Sequence, residues 1–159
     1  RPGVGLHRLH HRAQQVIVEK GGHHIGVPAA VLQLPRYFMA ADANQHLATA
    51  SSNSVRYSTW FGDYNSSRWN TVSTNFSKIE SALNDEPLTF DCSCKKQYFA
   101  YVYPTQPYKI YMCSAFWSAP ITGTDSKGGT IIHETSHFNV VAGTDDVVYG
   151  QSGAQMQIL

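Results

Sequence analysis

The sequence predicts an α+β fold: helices with a small antiparallel sheet beside one helix that carries an H-E-x-x-H motif. Three observations lead there. Val72, Phe76, Ile79 and Leu83 recur at helical spacing. Residues 99–103 and 109–113 are rich in aromatic and β-branched residues and flank a Pro-containing connection, which suits two short antiparallel strands. Asp125-Ser126 then supplies a helix start ahead of His133-Glu134-Thr135-Ser136-His137.

The bulk properties bound the answer. A chain of 159 residues fits one domain with a proper core. With 42% hydrophobic residues, 14% charged residues and a net charge of +1, it is neither disordered nor built to bind nucleic acid by bulk charge. No apolar run reaches the roughly 18 residues that a membrane span needs. No apolar block follows Arg1, so an exported form is expected to have lost its signal already. A monomer without nucleic-acid or membrane partners is the expectation.

Charge is unevenly placed. Residues 1–56 carry six Lys or Arg against two acidic residues, a net of +4, and the remainder nets −3. Six of the eight histidines (His7, His10, His11, His23, His24 and His46) also precede the polar loop Ser51-Ser52-Asn53-Ser54. Two units are expected: a basic, His-rich segment over 1–55 of uncertain structure, and a domain over 56–159 that carries the H-E-x-x-H motif. The N-terminal histidines show no ligand spacing that would define a second metal cluster.

The elements follow in order. Residues 13–20 read as a helix or a strand, ended by Gly21-Gly22. Pro28 and Pro35 interrupt the next apolar stretch, leaving a short helix over about 39–50. A helix is expected over 63–83, ending at Asn84-Asp85, then the two strands. The motif helix should run over about 126–140 and stop near Ala142-Gly143, with glycine as its C-terminal cap. Gly128 and Gly129 in its first turn each weaken a helix by roughly 1 kcal/mol relative to Ala, which suits a place where something packs closely. Cys92, Cys94 and Cys113, with the sequons at Asn65 and Asn75, point to a secreted, extracellular protein.

Residues i and i+4 of a helix share one face about 6 Å apart, so His133 and His137 can aim one nitrogen each at a common metal. Glu134 lies about 100° round the helix, where it can reach a water beside that metal without becoming a ligand. The bland alternative is a surface helix with two solvated histidines, and a third ligand would argue against it. Gly143 can turn the chain back beneath the helix, and by distance either Asp145 or Asp146 serves as a carboxylate ligand. Two imidazoles and a carboxylate leave a fourth position open, as catalytic zinc requires.

H-E-x-x-H followed by G-T-x-D and Y-G resembles the aspzincins, the deuterolysin group of zinc endopeptidases, and within them the fungal peptidyl-Lys metalloendopeptidases. RYSTWFGDYNSSR (56–68), FDCSC (90–94), FAYVYP (99–104), CSAFWSAPITGTDSKGGTIIHETSHF (113–138) and GTDDVVYGQ (143–151) carry the resemblance. It implies a zincin-like fold, one Zn2+ per chain held by His133, His137 and Asp146, Glu134 as general base, and Tyr149 as hydrogen-bond donor to the oxyanion. It further implies protein or peptide substrates, cut on the amino side of Lys. Asp145 then fills the variable position of the motif, as a solvated turn residue.

The departures from the family pattern carry expectations too. Cys94 can pair with Cys113, closing a loop of about twenty residues worth roughly 3 kcal/mol of loop entropy. Cys92 is then the odd cysteine of the three. The first 55 residues lack the family's cysteine-bearing helical start. The acidic segment that forms the family's lysine pocket lies beyond the position matching Leu159, so the domain is expected to be truncated, with weak or poorly selective cleavage. An incomplete or inactive relative that binds protein without cutting it is the competing expectation, and substrate-binding residues stay unknown.

Overall fold

The protein is described here by a computed structural model, covering residues 17–20, 23–24 and 29–156, with side chains over 37–156. Strands β1 (Ile17–Lys20) and β2 (His23–His24) come first, followed by helices α1 (Ala29–Thr49), α2 (Val55–Phe61) and α3 (Ser66–Asp85). Then come β3 (Thr89–Asp91), β4 (Ala100–Val102), β5 (Lys109–Met112), α4 (Ser114–Ser118), α5 (Lys127–His137) and α6 (Gln151–Met156). His7, His10 and His11 lie outside the described residues, as do the side chains of His23 and His24.

The expected antiparallel pair is present: β4 and β5 pair antiparallel, with Tyr101 opposite Tyr111. The sheet around it is mixed rather than antiparallel. Its order is β2-β1-β3-β5-β4, with β1, β3 and β5 mutually parallel. Connection length accounts for the difference. Parallel neighbours need a crossover of a dozen or more residues, and helices α1 to α3 supply one between β1 and β3. Residues 103–108 join β4 to β5, short enough for an antiparallel return.

Burial alternates along β5, with Ile110 and Met112 inward and Lys109 and Tyr111 outward. Phe90, Ile110 and Met112 of the sheet pack with Ile79, Ala82 and Leu83 of α3, Ala40 of α1, and Phe116, Ile131 and Phe138 around α5. Leu47, Tyr57 and Val72 form a smaller cluster with Phe61, Trp69 and Phe76.

Several helix limits differ from expectation, each for a local reason. α1 runs through Pro35 instead of starting near 39. A proline inside a helix costs about 3 kcal/mol or more, so propensity argues for a break there. Packing of α1 against α3 and α5, with Ala40 fully buried, offsets that cost. α2 adds a helix to the expected elements, directly after a polar stretch in which Ser54 suits a loop. Its side chain instead accepts from Tyr57 N at 3.2 Å and caps the helix. α3 starts at Ser66 rather than 63, because Asn65 Oδ1 accepts from Arg68 N. α5 starts where expected but ends at His137. Phe138 leaves helical geometry (φ −60°, ψ 129°) and its ring is fully buried in the core. Cys94 and Cys113 are joined, tying the segment before β4 to the end of β5, while Cys92 packs beside the core.

Candidate active site

The site is built on α5. Ser126 Oγ accepts from Gly129 N at 3.1 Å and caps the helix. A Cβ on Gly129 would sit 3.2 Å from that same Oγ, so a glycine here leaves room for the cap. Along the helix Ile131 and Thr135 are fully buried, while His133 and His137 point into a cleft of about 730 Å³. Past Phe138 the chain reverses at Gly143 (φ +58°), whose N–H reaches the Phe138 carbonyl at 3.1 Å. That left-handed conformation suits a residue without a Cβ. The expected glycine turn is therefore present, but six residues past the helix end rather than as its cap.

The reversal brings a carboxylate to the histidines. Asp146 Oδ1 lies 3.1 Å from His133 Nε2 and 3.5 Å from His137 Nε2, and the two Nε2 atoms are 3.1 Å apart. Tetrahedral ligands at about 2.0–2.1 Å from zinc sit roughly 3.3 Å from one another, so this donor set fits that ion in chemistry and spacing. Among the described residues it is the cluster of three His, Cys or acidic side chains able to share a metal. Asp145 is exposed and outside it. Partial burial lowers the His133 pKa against the pull of Asp146, which favours the neutral imidazole that a metal needs.

Glu134 is buried, and that burial pushes its pKa up to about 7. Tyr149 is exposed, and its hydroxyl donates to Asp146 Oδ2 at 2.6 Å, which raises its pKa. One carboxylate thus faces the donor cluster on one oxygen and a phenol on the other. Glu134, Tyr149 and the three donors all line the same cleft.

Opposite α5 the cleft is bounded by β4, an edge strand whose one described neighbour is β5. Sequence reasoning named no substrate-contacting residue. Tyr98, Phe99 and Asp125 also line the cleft. The expected strand starts at Phe99, leaving Tyr98 just outside it, and Asp125 is expected as part of a helix cap. Asp125 instead adopts a left-handed backbone (φ +49°) just before the cap. An ionisable residue directly before the cap of the motif helix is the local signal that the sequence held.

Comparison with known proteins agrees with this geometry. The aspzincin family model, described as lysine-specific metallo-endopeptidase, matches residues 46–157. An extracellular protease of Aeromonas hydrophila is 60% identical over 117 residues, covering 74% of this chain and 34% of the relative. A peptidyl-Lys metalloendopeptidase of Pleurotus ostreatus is 48% identical over 128 residues, covering 80% of this chain and 74% of the relative. The chain thus spans about a third of the Aeromonas relative's length and about three quarters of the Pleurotus one. Among solved structures, a zinc peptidase from Grifola frondosa superposes with a TM-score of 0.76 at 40% identity, covering 81% of each chain. By the family match, the shared sequence and the shared fold, this chain belongs to the aspzincin family of lysine-specific metallo-endopeptidases.

Proposed function

We propose that this chain is a secreted zinc endopeptidase that holds one Zn2+ through His133, His137 and Asp146 and cuts protein or peptide substrates on the amino side of lysine. The observation that carries the reading is the convergence of those three donors within one cleft, with Glu134 buried beside them. Zinc held by this set supplies a Lewis acid that polarises the scissile carbonyl and acidifies water.

The chain's own groups do the proton work. Glu134 accepts the proton of the attacking water at its carboxylate and delivers it to the leaving amine as the C–N bond breaks. Burial keeps that carboxylate basic enough for the task. The Tyr149 hydroxyl turns from Asp146 towards the carbonyl oxygen and donates to it as negative charge develops. The outer edge of β4 offers backbone groups to an extended substrate, as strand addition requires. A lysine side chain in the cleft needs a counter-charge, and Asp125 is a carboxylate there outside the donor set. Every residue given a role lies within 56–159, the catalytic unit of this reading, with Ala40 of α1 packed into its core and β1 paired to its sheet.

Extracellular location is supported by the Cys94–Cys113 disulfide and by the name of the Aeromonas relative. Among the described residues no helix is long and apolar enough to cross a membrane. Digestion of a protein substrate with and without chelator, with the cut sites mapped by mass spectrometry, tests the whole reading. Chelator-sensitive cuts before lysine are expected. Chelator-sensitive cuts without that preference overturn the specificity alone, and no such cuts overturn the enzyme. Glu134→Gln should retain metal and lose turnover by about 10²–10⁴-fold. A variant as active as the parent would remove Glu134 from the mechanism.

A further inference from the structure

We propose that Ser136 and Thr144 are positioning residues: their hydroxyls clip the turn that carries Asp146 onto α5 and hold His137 with Nε2 open to the metal. The inference rests on the zinc reading of the site. His137 Nδ1 lies 2.6 Å from the Thr144 carbonyl oxygen, which can only accept. Nδ1 therefore carries the ring proton, and a neutral ring then has its lone pair on Nε2, the atom that faces His133 and Asp146.

The two hydroxyls have equally little freedom. Ser136 Oγ lies 2.6 Å from the His133 carbonyl, so its hydrogen goes there. In the 2.6 Å contact between Ser136 Oγ and Thr144 Oγ1, Thr144 must then donate. That leaves lone pairs on Thr144 Oγ1 to face His137 Nδ1–H at 3.3 Å. Each hydroxyl hydrogen has one assignment, the ring hydrogen is shared between the carbonyl and the hydroxyl of Thr144, and the chain of donors runs from the ring of His137 through Thr144 and Ser136 to the backbone of His133. One backbone bond, from Thr144 N to the Ser136 carbonyl at 3.2 Å, closes the clip. Asp146 is two residues further on.

Sequence alone gave Ser136 no role, since H-E-x-x-H leaves that position unspecified. Serine is also a poorer helix former than alanine. Helix stability and metal binding therefore predict opposite signs for Ser136→Ala, which separates positioning from general support of the fold.

The test is zinc affinity, measured by chelator competition at fixed pH on Ser136→Ala, Thr144→Val, Thr144→Ser and the double Ser136→Ala/Thr144→Val variant. Thermal melts of the zinc-free proteins accompany it. Without zinc, Ser136→Ala should melt close to the parent, because the gain in helix propensity offsets the lost hydrogen bonds, yet it should bind zinc about tenfold more weakly, and Thr144→Val about 10–100-fold more weakly. Thr144→Ser keeps the hydroxyl and should restore affinity to within about threefold of the parent. The double variant should be no weaker than Thr144→Val alone, because one shared bond is lost only once. Affinities within about twofold of the parent for both single variants overturn the clip, as do losses that multiply in the double variant or a Ser136→Ala melt that falls in step with its affinity. A parent that binds one zinc while the variants are unaffected overturns the clip alone. A parent that binds none overturns the zinc reading and the clip with it.

Discussion

Two faces of α5 lie a residue apart and obey different rules. On the core face, Ile131, Thr135 and the following Phe138 are fully buried among Phe90, Ile110, Met112 and Phe116. The polar group on that face is satisfied within the helix: Thr135 Oγ1 donates to the Ile131 carbonyl at 2.7 Å. On the cleft face, His133, Ser136 and His137 are partly exposed and bond to a turn that returns from residue 143 onward. Glu134 sits between the two, buried like the core and ionisable like the cleft. The contrast teaches that the core face sets where the helix lies, while the cleft face sets what can bind there. Damage to one face should then be readable apart from damage to the other.

The largest effect should come from His137→Ala on the cleft face. It should abolish stoichiometric zinc binding, because one donor of three is gone and the Thr144 carbonyl loses its partner. The zinc-free protein should lose only about 0.5–1.5 kcal/mol, the net worth of a hydrogen bond. Zinc at about 100 times its Kd should stabilise the parent by about 2.7 kcal/mol and leave this variant's melt unmoved. Metal analysis and melts with and without zinc check both arms. Zinc retained at one equivalent would break the assignment.

Phe138→Ala tests the core face. Removing a fully buried phenyl ring that meets the Tyr108 ring edge-on at 5.8 Å should cost about 3–5 kcal/mol. Zinc binding should fail only where the protein unfolds, and denaturant melts separate the two. A variant of parental stability that has lost zinc would show that the faces are not separable at this residue.

Thr135→Val should do least. The replacement has nearly the same volume and deletes a hydroxyl whose acceptor, the Ile131 carbonyl, also lies within the helix ladder. A change of no more than about 1 kcal/mol, with zinc affinity unchanged, is expected. A larger loss of affinity than of stability would mean that this hydroxyl also serves the cleft.

The legibility of the molecule follows the range of the interactions that shape it. His133, Glu134 and His137 were readable because an i, i+4 pair on a helix fixes its own geometry within one turn. Ser126 announced a helix start for the same reason, while the Asn65 cap was missed, and the Cys94–Cys113 bridge followed once the pattern of cysteines was recognised. Spacing left Asp145 and Asp146 both open, and the choice between them rested on the family pattern. In the fold, the left-handed turn at Gly143 and the anchoring of Thr144 on α5 bring Asp146 to the histidines and leave Asp145 exposed.

By itself the sequence determined the fold class, the motif helix and the candidate donors that it carries, all of which depend on neighbours within a few residues or on a motif in one stretch. Tertiary structure alone decided that α1 continues through Pro35, that β3 joins the sheet in parallel, and that Tyr98, Phe99 and Asp125 meet α5 across a cleft. Each of these is settled by packing between segments tens of residues apart, and local propensity, worth about 1 kcal/mol or less per ordinary residue, is too small to decide against it.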